Sequence, residues 1–217
     1  MLTQAAAVIL YNPQAVPMAA MIAAQLNGAA VRFEASSDVP SVRVACEATG
    51  EELDGMASAL RYVARSGKAL YGSTALEACQ IDSLLDFIDT QFVPGPGFEA
   101  ASAALNAYLL SRTYLAGREI SIADLAAWQK LVSNSQSRRA RSVNRHLDRW
   151  CKNIEIVPIV AETFNTYADA KSKKGKTAHD PSTTVALSQW RVTYSSPGPS
   201  PSFRSRGSAG AGKRRPL

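Results

Sequence analysis

The residues most able to do chemistry in this chain of 217 amino acids are its three cysteines and two histidines. Cys46, Cys79 and Cys151 are far apart and odd in number, and no Cys-x-x-Cys pair occurs. His146 and His179 are also isolated in the sequence. Because zinc sites and disulfide frameworks need such residues at short, regular spacings, the sequence predicts neither. We expect buried free thiols in a reducing compartment, and no metal or cofactor.

A Ser-x-x-Asp motif joins Ser121 to Asp124. The Ser hydroxyl can accept a hydrogen bond from an amide of a first helical turn, and the Asp carboxylate can accept one from the Ser amide. An apolar stripe at helical spacing follows, in Ile122, Leu125, Ala126 and Trp128. The motif therefore predicts a capped helix that begins near Ile122, although this spacing is also common at ordinary helix starts. Trp128 and a second tryptophan, Trp150, are expected in the core.

Two arginines, Arg145 and Arg149, are spaced i, i+4 and therefore share one face of a predicted helix. Two interpretations of this face remain open. It is either solvated, with local ion pairs such as Arg145 with Asp148, or it binds carboxylates of a partner protein, a role for which Arg is well suited.

The net charge of +6 is unevenly distributed. From Lys171 onward there are ten Lys and Arg residues and one acid, whereas residues 1–170 hold fourteen basic and seventeen acidic residues. Four lysines at the start of this basic segment could attract tRNA phosphate without reading its sequence: Lys171, Lys173, Lys174 and Lys176. A solubilising linker is the other interpretation, since no aromatic stacking platform accompanies the charge.

The spacing of apolar residues divides the chain into three parts. Residues 1–66 alternate short apolar runs with helical patterns in the order β-α-β-β-β-α, which predicts a small mixed layer. Residues 67–170 have helical spacing throughout and predict an all-α bundle of five segments: Ala75–Phe92, Phe98–Leu110, Ile122–Leu131, Val143–Ile156 and Val160–Tyr167. Residues 171–217 are rich in Ser, Pro, Gly and basic residues and are expected to be a disordered tail.

The sequence offers no signal for membrane insertion or secretion. It has no run of about twenty apolar residues, as a membrane-spanning helix would require. Its N-terminus lacks a basic region and is interrupted by Pro13. We therefore expect a cytoplasmic protein.

Longer motifs resemble the glutathione-transferase superfamily. Arg112–Gly117 followed by Ser121–Leu125 resembles the start of the central helix of that family's C-terminal domain, and Leu60–Arg65 resembles its Leu-Arg-Tyr-Leu-Ala-Arg helix. Together with Leu70–Phe87 and His146–Trp150, these motifs resemble the N-terminal glutathione-transferase-like domain of eukaryotic glutamyl-tRNA synthetases, including the glutamyl-prolyl form. The resemblance implies an α+β fold, with a reduced thioredoxin-like domain before the helical bundle.

The residues that would bind glutathione depart from the family pattern. The enzymes carry a Ser, Cys or Tyr after the first strand and a Glu/Gln-Ser pair before the second helix of this chain, but Val16 and Gly55-Met56 stand there. Tyr11 could replace the missing hydroxyl, although it is typical of the end of a buried strand. Only residues 35–41 separate the second and third strands, too few for the helix that lines the glutathione site. The family usually has a cis peptide bond before the proline at the position of Pro40. We expect no active glutathione site.

The resemblance also implies partners. Glutathione-transferase-like domains of synthetase complexes pair through the helix that carries Arg145 and Arg149, and transferase dimers pack through the region of Arg61 and Tyr62. Tyr62 is equally typical of a core position.

These observations favour a non-catalytic interaction module of a glutamyl-tRNA synthetase, which assembles a synthetase complex and aids tRNA binding. The His-x-Gly-His signature of class I synthetases is absent, so we expect the appended domain without its catalytic domain. The alternatives are an atypical glutathione transferase and a module similar to the front of the elongation factor one gamma subunit.

Overall fold

The computed structural model describes residues 7–67 and 70–174 of the chain, with side chains up to residue 168. A four-stranded sheet has the order β2-β1-β3-β4, with β1 parallel to β2 and antiparallel to β3, and β3 antiparallel to β4. The strands are β1 Ala7–Tyr11, β2 Val31–Ala35, β3 Val42–Cys46 and β4 Glu52–Asp54. Helices α1 and α2 complete this layer at Met18–Asn27 and Met56–Arg65. The predicted β-α-β-β-β-α order is confirmed, and a short turn at 36–41 joins β2 to β3.

The second layer is a helical bundle, as predicted. Its described helices are α3 Ala75–Gln91, α4 Pro96–Tyr108, α5 Ile122–Val132, α6 Ser137–Val143, α7 Arg145–Glu155 and α8 Pro158–Lys174. No described helix combines the length and the apolar character that a membrane span requires.

The two layers share one hydrophobic core, because α1 is apolar on every side. All residues from Met18 to Ala24 are buried, and α1 packs against α2 of its own layer and against α5 and α8 of the bundle. Gly28 ends α1 in the left-handed conformation, with φ of 62°, which a glycine adopts without a steric penalty. Trp128 and Trp150 are fully buried, as expected from the sequence. The mixed sheet and the bundle confirm the predicted α+β class.

Three local predictions were wrong. The segment predicted from Val143 to Ile156 begins only at Arg145, because the backbone leaves helical geometry at Asn144, with φ of −116° and ψ of 83°, and the short helix α6 that precedes it was not predicted. Helix α8 runs to Lys174, past the end of the predicted helical segment at Tyr167, since alanine and lysine favour helix even where the apolar pattern stops. The peptide bond before Pro40 is not cis as expected, and no cis peptide bond occurs among the described residues. The trans form of a bond before proline is intrinsically preferred by about 0.5–1 kcal/mol.

The cysteines are also less buried than predicted. Cys151 is buried, but Cys46 is half-buried and Cys79 is exposed. All three are free thiols. Cys79 lies on the outer face of α3, where the apolar pattern of that helix gives no signal of its exposure.

Candidate functional site

The predicted capping box forms at the start of α5. The Ser121 hydroxyl accepts from the Asp124 amide at 3.4 Å, and the Ser121 amide donates to Asp124 Oδ2 at 3.0 Å. The Ser121 hydroxyl also donates to the same carboxylate oxygen at 2.7 Å. The cap therefore satisfies two backbone donors at the start of the helix, the Ser121 and Asp124 amides.

Asp124 has a wider role that sequence spacing did not indicate. Its Oδ1 accepts from the Leu115 amide at 2.9 Å and from the Trp150 indole N–H at 2.8 Å. The fully buried carboxylate thus joins the 115–121 loop, α5 and α7. Burial raises the pKa of Asp124, while the donors from Trp150, Leu115 and Ser121 act in the opposite direction. Asp124 is a structural centre of the bundle rather than a solvent-accessible acid.

The position where a transferase would stabilise a thiolate is filled by the bundle. Gln129 of α5 accepts from the Ala19 amide, in the first turn of α1, at 2.6 Å and donates to the Val16 carbonyl at 3.1 Å. Val16 itself is buried. A helix N-terminus attracts anions through its free amides; here one of those amides already has a partner from within the chain. Sequence reasoning missed Gln129, and its only signal was a polar residue next to the buried Trp128.

The alternative hydroxyl is equally inaccessible. Tyr11 is 1% exposed, and its hydroxyl has no hydrogen-bond partner among the described residues. Burial raises the pKa of this phenol, which disfavours a phenolate. Tyr11 is therefore a core residue at the end of β1.

The cleft between the layers is small. A cavity of about 160 Å³ lies between α2, α3 and α5, below the roughly 300–1,000 Å³ typical of ligand sites. Lys130 and Asp89 form an ion pair of 3.5 Å at its wall. Gly55 begins α2 without a side-chain cap, and the neighbouring Asp54 is bound to Arg43 at 2.7 Å. The charged groups that line this cavity are thus already paired with each other, and Met56 adds no hydroxyl or carboxylate to hold a γ-glutamyl peptide.

Arg61 lies at the seam between α2 and α3. It donates to Asp82 at 2.6 Å and to Asp86 at 3.3 Å. Tyr71 donates to the second oxygen of Asp82 at 2.7 Å. Burial alone would raise the pKa of Asp82, but the hydrogen bonds from Tyr71 and Arg61 outweigh it and lower that pKa. The guanidinium of Arg61 is therefore already bound to carboxylates of its own chain. Its neighbour Tyr62 is half-buried and packs against the core.

The arginine face is built from α6 and α7, and its members differ. Arg141 is bound within the chain, to Asp148 at 2.9 Å and to Glu155 at 2.6 Å. Arg145 is exposed, and no described carboxylate lies within 4 Å of it. The Arg145–Asp148 pair of the solvated interpretation does not form, because Asp148 binds Arg141 and Lys152 instead.

Arg149 has a structural partner that the sequence did not indicate. It donates to the carbonyls of Leu109 and Arg112, at 2.7 and 2.8 Å, just after the end of α4. Arg112 in turn lies over the ring of Tyr108 at 4.4 Å. Three arginines thus converge where α4 ends and α7 begins, namely Arg112, Arg145 and Arg149.

His146 lies close to two positive charges of this surface, those of Arg145 and Arg149. Partial desolvation and then the charges of Arg145 and Arg149 lower its pKa. Its amide donates to Asn106 Oδ1 at 2.9 Å, so a side chain of α4 caps the start of α7. Sequence reasoning missed Asn106, since the two residues lie 40 positions apart.

The predicted basic cluster is only partly described. Lys171, Lys173 and Lys174 belong to the last turns of α8, but their side chains and all of Lys176 lie outside the described residues. Their role in nucleic-acid binding stays a prediction.

No protein-family model matches the chain. Cytoplasmic glutamate–tRNA ligase of Arabidopsis thaliana is 32% identical over 172 residues, which cover 76% of this chain and 24% of that protein. Bifunctional glutamate/proline–tRNA ligase of Cricetulus griseus is 35% identical over 98 residues, which cover 43% of this chain and 6% of that protein. The chain therefore spans about a quarter of the plant relative and far less of the bifunctional one.

Solved structures share the fold. A chain from crystal structures of two binary sub-complexes of the yeast aminoacyl-tRNA synthetase complex superposes with a TM-score of 0.60 at 20% identity, covering 80% of this chain and 99% of that one. A beta-class glutathione S-transferase of Sphingomonas chungbukensis gives a TM-score of 0.60 at 22% identity, covering 73% and 97%.

Proposed function

We infer that this chain, a homologue of the N-terminal region of eukaryotic glutamate–tRNA ligases with a glutathione-transferase-like fold, is a non-catalytic assembly module. It joins an aminoacyl-tRNA synthetase complex in the cytoplasm by pairing with other glutathione-transferase-like domains. The observation that carries this proposal is the filled thiolate position, where Gln129 binds the first turn of α1. Because Gln129 binds the first turn of α1 and the cavity beside it is small, we place the function on the outer surface of the protein.

The arginine surface at the start of α7 supports pairing. Arg145 is exposed without a described carboxylate partner, and Arg112 and Arg149 lie beside it. Surface guanidinium groups that have no carboxylate partner of their own favour a partner protein that supplies carboxylates, since such pairs form directional, charge-assisted hydrogen bonds. The α2–α3 seam with Tyr62 is a second candidate surface, although Arg61 is already paired within the chain.

Charge reversal tests the first surface. Arg145→Glu is expected to weaken partner binding about tenfold or more, as for a central interface arginine, without loss of stability. Adding Arg149→Glu should weaken binding further and also lower the melting temperature, because the carbonyls at the end of α4 lose their donor. Tagged full-length chain identifies partners by co-purification, and calorimetry with the recovered protein gives the affinities.

Arg118→Glu is the matched control, since Arg118 is exposed on the loop before α5. It should leave binding unchanged. Recovery of neither a synthetase nor a protein with a transferase-like domain would contradict the assembly proposal. Recovery of elongation-factor subunits would support the elongation factor one gamma alternative. Retention on immobilised glutathione, with conjugation of a generic electrophile, would support an atypical transferase.

The lysines at the end of α8 are proposed as a weak tRNA contact. Replacing Lys171, Lys173, Lys174 and Lys176 by Gln is expected to reduce tRNA binding uniformly across tRNA species, because phosphate contacts carry no sequence information. The slope of log K against log salt should fall by roughly 0.7–0.9 per lost contact in filter-binding titrations. An unchanged slope would assign the lysines to a solubilising role.

A further inference from the structure

An apolar groove runs between α3 and α4. It has a volume of about 550 Å³. Five large side chains form most of its wall, namely Leu76, Leu84, Phe87, Leu105 and Tyr108. Leu76 is 69% exposed and Tyr108 is 37% exposed, so the wall is open to solvent. Contiguous apolar surface of this kind is typical of sites that another molecule covers.

The wall of the groove on α3 has the spacing of a helix-binding surface. Its lining residues recur at i, i+3, i+4 and i+7 from Leu76 to Phe87, beside the buried core positions of the same helix. This stripe is about 17 Å long, at a rise of about 1.5 Å per residue. Helix α4 supplies the opposite wall through Ala104, Leu105 and Tyr108. Two neighbouring helices thus form the kind of groove into which a third, amphipathic helix packs.

The described lining of the groove carries no charged side chain. Residues 75–108 contain five acids and no Lys or Arg. Each acid is bound to a residue that does not line the groove, namely Asp82 and Asp86 to Arg61, Asp89 to Lys130, Glu99 to Arg139, and Glu77 to Ser73. The groove itself therefore offers no carboxylate to an occupant.

One cation lies at the Tyr108 end of the groove. The guanidinium of Arg112 lies over the Tyr108 ring, 4.4 Å from its centroid. Arg112 is exposed, and no described carboxylate forms an ion pair with it. The Tyr108 hydroxyl donates to the Leu115 carbonyl at 3.1 Å, and the Arg112 carbonyl accepts from Arg149 at 2.8 Å, so both ends of this stack are held in place. The groove therefore favours an apolar occupant that brings a carboxylate to this end.

We propose that the α3–α4 groove docks an amphipathic helix of a partner protein, with its apolar face on Leu76, Leu84 and Phe87 and an acidic side chain on Arg112. A second copy of this chain that met the groove through the same surface would bring another neutral lining and another Arg112, but no free carboxylate. The partner is therefore a different protein. This inference does not rest on the assembly proposal, because the docking helix need not belong to a synthetase.

A pair of synthetic peptides tests the proposal. The probe is a fluorescein-labelled amphipathic peptide of about four helical turns, with leucines at i, i+3, i+4 and i+7 and two glutamates in its first turn, where acids also stabilise a helix. The second peptide carries lysines in place of the glutamates. Fluorescence anisotropy measures the binding of each peptide to the full chain. The glutamate peptide is expected to bind saturably and about tenfold more tightly than the lysine peptide.

Two substitutions locate the bound peptide. Leu76→Asp is expected to weaken binding of the glutamate peptide about tenfold or more, because it places a charge on the apolar wall at a position too exposed to affect folding. Arg112→Glu should reverse the preference, so that the lysine peptide binds more tightly. Leu53→Asp is the matched control, since Leu53 is 54% exposed on β4 and does not line the groove. It should leave both affinities unchanged.

Equal affinities for the two peptides would overturn the proposal, as would a loss with Leu53→Asp as large as the loss with Leu76→Asp. Self-association of the chain in sedimentation experiments, abolished by Leu76→Asp, would also overturn it, because a second copy would then be the occupant. Arg145→Glu should leave the preference for the glutamate peptide in place. Because the assembly proposal predicts weaker partner binding for that variant, failure of the docking proposal and failure of the assembly proposal are distinguishable.

Discussion

Replacing Asp124 by Asn is expected to lower the free energy of unfolding by about 2–3 kcal/mol, as for a buried hydrogen-bond network that loses an acceptor. Three N–H donors converge on this carboxylate, from Leu115, Ser121 and Trp150. A carboxylate accepts with both oxygens, whereas an amide presents its own N–H₂ to one side. At least one buried donor must then lose its acceptor. Urea unfolding followed by tryptophan fluorescence measures the change.

Ser121→Ala serves as the graded control for this prediction. It removes the hydroxyl of the cap but leaves the carboxylate and its backbone donors, so it should cost about 1 kcal/mol. A cost for Asp124→Asn no larger than that of Ser121→Ala would show that the links to Leu115 and Trp150 contribute little. Asp124 would then be an ordinary helix cap.

Replacing Gln129 by Leu is expected to lower the free energy of unfolding by about 2 kcal/mol. The change keeps the approximate size of the side chain but leaves the Ala19 amide and the Val16 carbonyl without their partner from α5. Because these bonds join the two layers, the loss should also loosen the start of α1. Hydrogen exchange at the Ala19 amide is expected to accelerate more than exchange in the middle of α5.

Lys130→Met is the matched control, since it alters the adjacent residue and removes only a partly exposed ion pair with Asp89. Its cost should stay within about 1 kcal/mol. If Gln129→Leu is as mild as Lys130→Met, then Gln129 does not hold the first turn of α1 in solution. Gln129 would then not be the residue that occupies the start of α1.

Closure of the cleft changes where function is expected. A transferase keeps a helix N-terminus and a polar wall free for its thiol substrate. Here Gln129 uses the helix N-terminus, and Val16 and Tyr11 are buried behind it. The exposed charge that has no described carboxylate partner lies instead on the outer face, at Arg145.

Much of the fold could be predicted because its determinants are local. Period-two and helical apolar patterns gave the order of β1 to β4 and most of the helices. The Ser121–Asp124 spacing predicted the start of α5. Such signals depend on residues within about one helical turn of one another, so they can be recognised in a single amino-acid sequence.

The order of the elements, the family resemblance and the departure from the usual glutathione-binding residue types at Val16 and Gly55-Met56 could all be recognised in the amino-acid sequence. The contacts that replace a glutathione site became visible only in the folded chain. Gln129 reaches Ala19 across 110 positions of sequence, Trp150 reaches Asp124 across 26, and Arg149 reaches the end of α4 across about 40. Such pairs depend on how the helices pack, and no local spacing encodes them. A buried amide or carboxylate needs a hydrogen-bond partner, and the fold supplies that partner from whichever part of the sequence it brings within hydrogen-bond distance.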